Sequence, residues 1–325
     1  MLTITSREYT MILVTGGFGF IGSHVVRALH DQGVRTVVVQ RGRAAVPEHL
    51  ADLPVAVVRA DVADLADLRA VGERHSVTGI VHLAGYPMPD GPEGRRTGID
   101  PTQRWLQGLL NIGRVAQEWQ VDRVGLASTI GVYFGTGHRG VLTEDLAVTL
   151  TAPHPIPRAK KITELLGEHL AETTGLDVVH YRISGTWGPL GHADPFFAAP
   201  ALAHAAAAGT VPDLAALAGA PRLGDGLDLN YVKDTGRAIA LLQLADRLRY
   251  RTYNVAAGRT TTNAEIITAL RTIAPDADLA LPDGGEAGDP MDITRLREDT
   301  GYAPRYGTVE AADDYVTWLR AGHLR

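Results

Sequence analysis

The glycines of the run Thr15-Gly16-Gly17-Phe18-Gly19-Phe20-Ile21-Gly22 are spaced for one piece of chemistry. Gly16, Gly19 and Gly22 let the backbone turn tightly and come close to a pyrophosphate. The helix that opens at Phe20 and Ile21 adds amide N–H groups and the positive end of its dipole. Such a run carries weight only between a strand and a helix. Here the apolar residues Ile12–Val14 precede it, and the stripe Ile21, Val25, Val26 and Leu29 follows it as far as Gly33. A second feature concerns which dinucleotide binds. The second strand ends Val39-Gln40-Arg41-Gly42-Arg43, with no carboxylate to hold a ribose 2′-hydroxyl. Arg41 and Arg43 stand where a 2′-phosphate would sit, and a guanidinium matches phosphate as a bidentate donor. The expected cofactor is NADPH/NADP+ rather than NADH.

Other chemistries find little footing. The chain has 325 residues and no cysteine, which removes disulfides, thiolate metal sites and cysteine nucleophiles. Its histidines lack metal-ligand spacing, so no metal site is expected, and no Gly-x-Ser-x-Gly elbow is present. A net charge of −6 without basic runs argues against nucleic acid or an anionic membrane as partner. No apolar run approaches the ~18 residues of a spanning helix. The first ten residues lack the apolar core of a secretion signal and read as a short leader before Met11, consistent with a cytoplasmic protein.

The elements that must position the glycine loop are legible as alternation. Strand-like runs fall at Ile12–Val14, Val37–Val39, Val55–Val58, Ile80–Leu83, Val124–Ala127 and Val178–Tyr181, with helical patterns between them. A further apolar stripe, Ile162, Leu165, Leu166, His169 and Leu170, is expected to cover a sheet. The alternation predicts an α/β protein, a Rossmann-type doubly wound parallel sheet with a smaller, mainly helical C-terminal substrate lobe. The expected division is 11–184 for the dinucleotide domain, with 227–257 returning to it, and 185–226 with 258–325 for the lobe.

These motifs resemble the extended short-chain dehydrogenase/reductases along nearly the whole chain. The resemblance rests on the glycine loop, Asp61-Val62, Leu83-Ala84-Gly85, Ser128-Thr129-Ile130-Gly131-Val132-Tyr133, Arg182 to Pro189 and Tyr231-Val232-Lys233-Asp234. It implies that Asp61 and Val62 contact adenine, that Leu83, Ala84 and Gly85 line the cofactor, and that Thr129 is the catalytic Ser/Thr. The family's Tyr-x-x-x-Lys falls on Ile156 to Lys160, and Glu164 sets that register. Lys160 keeps the role of binding and positioning the nicotinamide ribose, whereas Ile156 replaces the tyrosine acid. The asparagine and arginine that often hold a sugar diphosphate fall on Gly185 and Leu227.

Loss of those ligands argues against a nucleotide sugar, since a diphosphate needs paired cations. Tyr86, Trp105, Phe134, Ser184, Trp187, Phe196 and Phe197 are the expected lining of a pocket for a small, hydrophobic aromatic substrate. The reading is a ketoreductase acting on an aromatic polyketide, in which a phenol beside the ketone replaces the missing acid; Tyr86 and His154 are alternative donors. Two other readings stay open: a nucleotide-sugar epimerase or dehydratase with an atypical site, and a non-catalytic NADP(H)-binding sensor. Oligomeric state is not readable from these residues.

Overall fold

All six expected strands form. They are β1 Met11–Thr15, β2 Arg35–Gln40, β3 Ala56–Arg59, β4 Gly79–His82, β5 Arg123–Thr129 and β6 Val178–Ile183. The computed structural model describes residues 10–42, 46–85, 98–152, 154–191, 197–215 and 217–323. The remaining elements, in chain order, are the strands β7 Gly185–Trp187, β8 Gly226–Tyr231, β9 Thr252–Val255 and β10 Thr260–Thr262, and nine helices among the described residues. The helices are α1 Phe20–Asp31, α2 Leu65–Arg74, α3 Ile99–Trp119, α4 Pro155–Thr174, α5 Ala199–Ala208, α6 Val232–Leu244, α7 Asn263–Ile273, α8 Thr294–Thr300 and α9 Thr308–Arg320.

The first strands join a seven-stranded sheet of order β3-β2-β1-β4-β5-β6-β9. Its β1–β2, β1–β4, β2–β3 and β4–β5 pairs are parallel. Reversal of strand order at β1 creates the switch point where doubly wound sheets bind ligands. Strands β4 and β6 are buried along their whole length, as strands covered on both faces must be.

The chain divides into two units. The first is formed by the described residues up to Gly137, with Ala147–Arg182 and Gly236–Tyr253. Its core includes Leu13, Leu68, Ile80, Leu109, Ile112 and Val124. The second comprises His138–Leu146, Ile183–Thr235 and the described residues from Asn254 onward. The segment returning to the first unit is thus shorter than 227–257, because β8 pairs with β7 and β10 in a separate three-stranded sheet. Among the described residues of the stretch 196–221, α5 is the helical part.

One helix face departs from the sequence reading. On α4, Ile162 and Leu165 are 44% and 67% exposed, and the buried face is Ala159, Thr163, Gly167 and Ala171. Close approach to β6 dictates this choice: a Cβ on Gly167 would lie 2.3 Å from the His180 ring. The stripe on α1 behaves as expected, with Val25, Val26 and Leu29 fully buried.

Candidate active site

Steric demands explain the glycine loop residue by residue. Gly16 has φ +69°, and a Cβ there would meet the Ala84 amide nitrogen at 3.0 Å. A Cβ on Gly22 would lie 2.1 Å from the Gly16 carbonyl oxygen, so only glycine lets α1 start this close to the turn. The Gly19 N–H donates to that same oxygen at 2.9 Å. Gly19 caps α1 with no side-chain acceptor, so the amides of the first turn, beginning at Phe20 and Ile21, are left for an anion. A dinucleotide pyrophosphate fits this cradle.

Strand β4 backs the cradle. The Leu83 N–H donates to the Thr15 carbonyl, and the Ala84 N–H donates to Thr15 Oγ1. Thr15 Oγ1 is also 2.8 Å from His82 Nδ1. Burial, reinforced by the charge of Lys160, pushes the His82 pKa down to about 3. Gly85 is exposed beyond this turn. Arg41 is exposed directly after β2; Arg43 lies outside the described residues. Asp61 Oδ1 accepts the Ala63 N–H, and Oδ2 accepts Arg104 at 2.5 Å. The Val62 side chain is 5% exposed and packs in the core.

Thr129 ends β5 and caps the following turn, its Oγ1 accepting the Gly131 N–H at 3.2 Å, which leaves its own proton free to donate. Gly131 is required there because a Cβ would meet the Pro157 ring at 2.7 Å. That contact brings the turn against the first turn of α4, which carries Ile156. Ile156 is 47% exposed, and its N–H donates to Nδ1 of the capping residue His154. One turn further along, Lys160 Nζ donates to the Ala127 carbonyl at 2.8 Å. Burial without a carboxylate partner lowers the Lys160 pKa to about 8.

A buried polar network lies directly behind these residues, and the sequence reading missed it. Arg182 forms a bidentate pair with Glu164, through Nε at 3.0 Å and Nη2 at 2.8 Å. The Ser128 hydroxyl donates to Glu164 Oε1 at 2.5 Å, and Arg182 Nη1 donates to the Tyr133 hydroxyl. Burial opposes ionisation of Glu164, but Arg182 and Ser128 outweigh it and hold the carboxyl below its usual range. Thus α4 is fixed to consecutive residues of β5 twice: Lys160 to Ala127, and Glu164 to Ser128. The available signal was the i, i+4 spacing of Lys160 and Glu164, which puts both on one helix face.

The expected substrate-lining residues divide. Phe134 is 44% exposed beside the Thr129 turn. Trp105 packs in the core of the first unit, because its α3 face turns inward with Leu109 and Ile112. Trp187 is held edge-on between Tyr231 and Tyr315 in the core of the second unit. Both indoles are therefore packing residues rather than pocket walls. Ser184 is buried, its N–H donating to Val255, and Phe197 packs against the core of the second unit. Tyr86 and Phe196 lie outside the described residues. In the second unit, a Cβ on Gly185 would meet Leu227 Cδ1 at 2.5 Å, so these two positions pack directly on each other. The neighbouring Asp228 is fully buried and accepts N–H donors from Ala257, Gly258 and Met291. Among the described residues there is no metal-binding cluster and no helix long and apolar enough to cross a membrane.

A parallel sheet with a glycine cradle at its switch point, and a Thr–Lys pair across β5 and α4, defines a nucleotide-dependent oxidoreductase fold. The chain belongs to the NAD dependent epimerase/dehydratase family, whose pattern matches residues 12–256. It is similar to dTDP-glucose 4,6-dehydratase of Streptomyces niveus, at 28% identity over 95% of this chain and 92% of that protein. UDP-glucose 4-epimerase of Azospirillum brasilense is 27% identical with the same coverage. Among solved structures, UDP-glucose 4-epimerase of Thermotoga maritima superposes with a TM-score of 0.77 at 22% identity, covering 96% of this chain and 99% of that one. dTDP-glucose 4,6-dehydratase of Bacillus anthracis gives 0.78 at 20%, covering 96% and 97%.

Proposed function

We propose that this protein is an NADPH-dependent ketoreductase that reduces a carbonyl of an aromatic polyketide of the angucyclinone type, in antibiotic biosynthesis. The observation that carries the reading is Ile156. The side chain at the family's acid position is apolar and exposed, while Thr129 and Lys160 are retained. This pattern resembles the angucyclinone C-7 ketoreductase of simocyclinone biosynthesis, which lacks the family tyrosine.

A reduced nicotinamide, when bound, would supply the hydride for a carbonyl carbon held beside it. The carbonyl π pair moves to oxygen, and a phenol beside the ketone gives that oxygen its proton, leaving a phenolate. Thr129 donates a hydrogen bond to the developing alkoxide, and Lys160 holds the ribose. The sequence Gln40-Arg41-Gly42-Arg43 after β2 offers guanidiniums and no carboxylate to a 2′-phosphate, which supports NADPH as the preferred cofactor. Packing of Gly185 on Leu227 leaves neither a polar nor a cationic side chain at two positions that would serve a sugar diphosphate.

A second reading, a nucleotide-sugar epimerase or dehydratase, is favoured by the names of the relatives. Turnover separates the two. The protein is offered NADPH with peri-hydroxylated polyketide ketones, and in parallel dTDP- and UDP-sugars. Reduction confined to the ketones, and lost when the neighbouring phenol is methylated, supports the proposal. Conversion of a nucleotide sugar transfers the assignment to the second reading. Tight NADPH binding with no turnover of either panel leaves a cofactor sensor.

A further inference from the structure

Lys161 is 7% exposed, and both hydrogen bonds of its ammonium run to one short segment. Its Nζ donates to the Thr151 carbonyl at 2.6 Å and to Thr149 Oγ1 at 3.3 Å. Burying an ammonium is costly and needs a return in structure. Here the return is the position of one strap, residues 149–152, laid against α4. Arg158 Nη2 fastens the same strap through the Ala152 carbonyl at 3.0 Å. Thr149 Oγ1 also donates back to the Thr151 carbonyl, so the strap is held in a defined bend.

What the strap carries is apolar and outward. Leu150 is 84% exposed. On one side Gly135, next to Phe134, faces Thr149: a Cβ added there would lie 3.7 Å from Thr149 Oγ1. On the other, Lys161 ties the strap to the helix whose first turn carries Ile156. Three exposed large apolar side chains, Phe134 at 44%, Leu150 at 84% and Ile156 at 47%, thus stand on three neighbouring segments, two of them joined by Lys161 and Arg158. Solvent-facing side chains of this kind, fixed by a buried cation beside the reacting residues, fit an apolar ligand.

We propose that Lys161 is a positioning residue whose strap completes an apolar wall of Phe134, Leu150 and Ile156, and that this wall takes the distal rings of a fused polycyclic aromatic substrate. The proposal rests on the ketoreductase reading for the identity of the ring system, and it is tested by binding so that the two can fail separately. The full-length protein, saturated with NADP+, is titrated calorimetrically with a peri-dihydroxyanthraquinone and with ortho-hydroxyacetophenone, which keeps the neighbouring phenol but has one ring.

Leu150→Asp weakens the anthraquinone about tenfold, the worth of one buried apolar side chain, and leaves the acetophenone and NADPH affinities unchanged. Lys161→Met gives the same selective loss, and Lys161→Arg, which keeps a donor, restores most of it. Equal loss for both probes, no loss for either, or no binding of the anthraquinone to the unmodified protein overturns the wall. Selective binding without hydride transfer keeps the wall and rejects the ketoreductase reading.

Discussion

Ile156 separates two sources for the proton that follows hydride. If the substrate supplies it, Ile156→Tyr does not speed reduction of a peri-hydroxylated ketone, but it confers turnover on ketones that lack the phenol. Rates of NADPH oxidation for a matched ketone pair decide this, and acceleration of both ketones alike would reject an internal proton. Lys160 makes a separate prediction through its pKa, lowered by burial from an ordinary 10.5 to about 8. The ammonium is present below about 8 and lost above it; if Lys160 holds the ribose as proposed, NADPH affinity falls as pH rises through that value. Lys160→Met binds more weakly at neutral pH and shows no such step. The stability effect has the opposite sense: the cost of burying the charge is lifted between pH 8 and 10.5, so the fold gains stability across that interval. Titrations of NADPH fluorescence and urea melts across this range check both.

At the element scale, the glycine loop was legible because sterics dictate residue type at each turn position. Gly22→Ala forces its Cβ against the Gly16 carbonyl oxygen. It is expected to cost NADPH binding at least tenfold and the fold ~1–3 kcal/mol, read by fluorescence titration and urea denaturation. The polar network around Glu164 was not legible. Glu164 meets Arg182 and Ser128 across 18 and 36 residues of chain, a meeting that only the crossover topology arranges. Glu164→Ala takes the carboxylate away from the buried Arg182 guanidinium, an expected loss of ~3–5 kcal/mol in urea denaturation. The penalty is full above the ordinary glutamate value of 4.5, and it fades as pH falls through the lower folded value. The outward stripe of α4 was misread for a related reason. Periodicity identifies an apolar face, but the approach of His180 required glycine on the face that the sheet covers.

For the whole molecule, alternation of strands and helices made the sheet legible, because buried parallel strands need short continuous apolar runs. The lobe was less so: β8 is polar enough at Asp228 and Asn230 to hide its pairing with β7 and β10. Composition carries one more consequence. Lysine occurs three times in the chain, at positions 160, 161 and 233, against 28 arginines. Lys233 is ion-paired to Asp314, and Lys161 is spent on its strap. Lys160 alone combines a pKa near 8 with a place beside the cofactor cradle, so much of it is an uncharged nucleophile under mildly alkaline conditions. An amine-selective reagent such as trinitrobenzenesulfonate therefore becomes an occupancy reporter. Peptide mapping should find the labelling of Lys160 in the free protein reduced once NADPH is added; equal labelling with and without NADPH would place the ribose elsewhere.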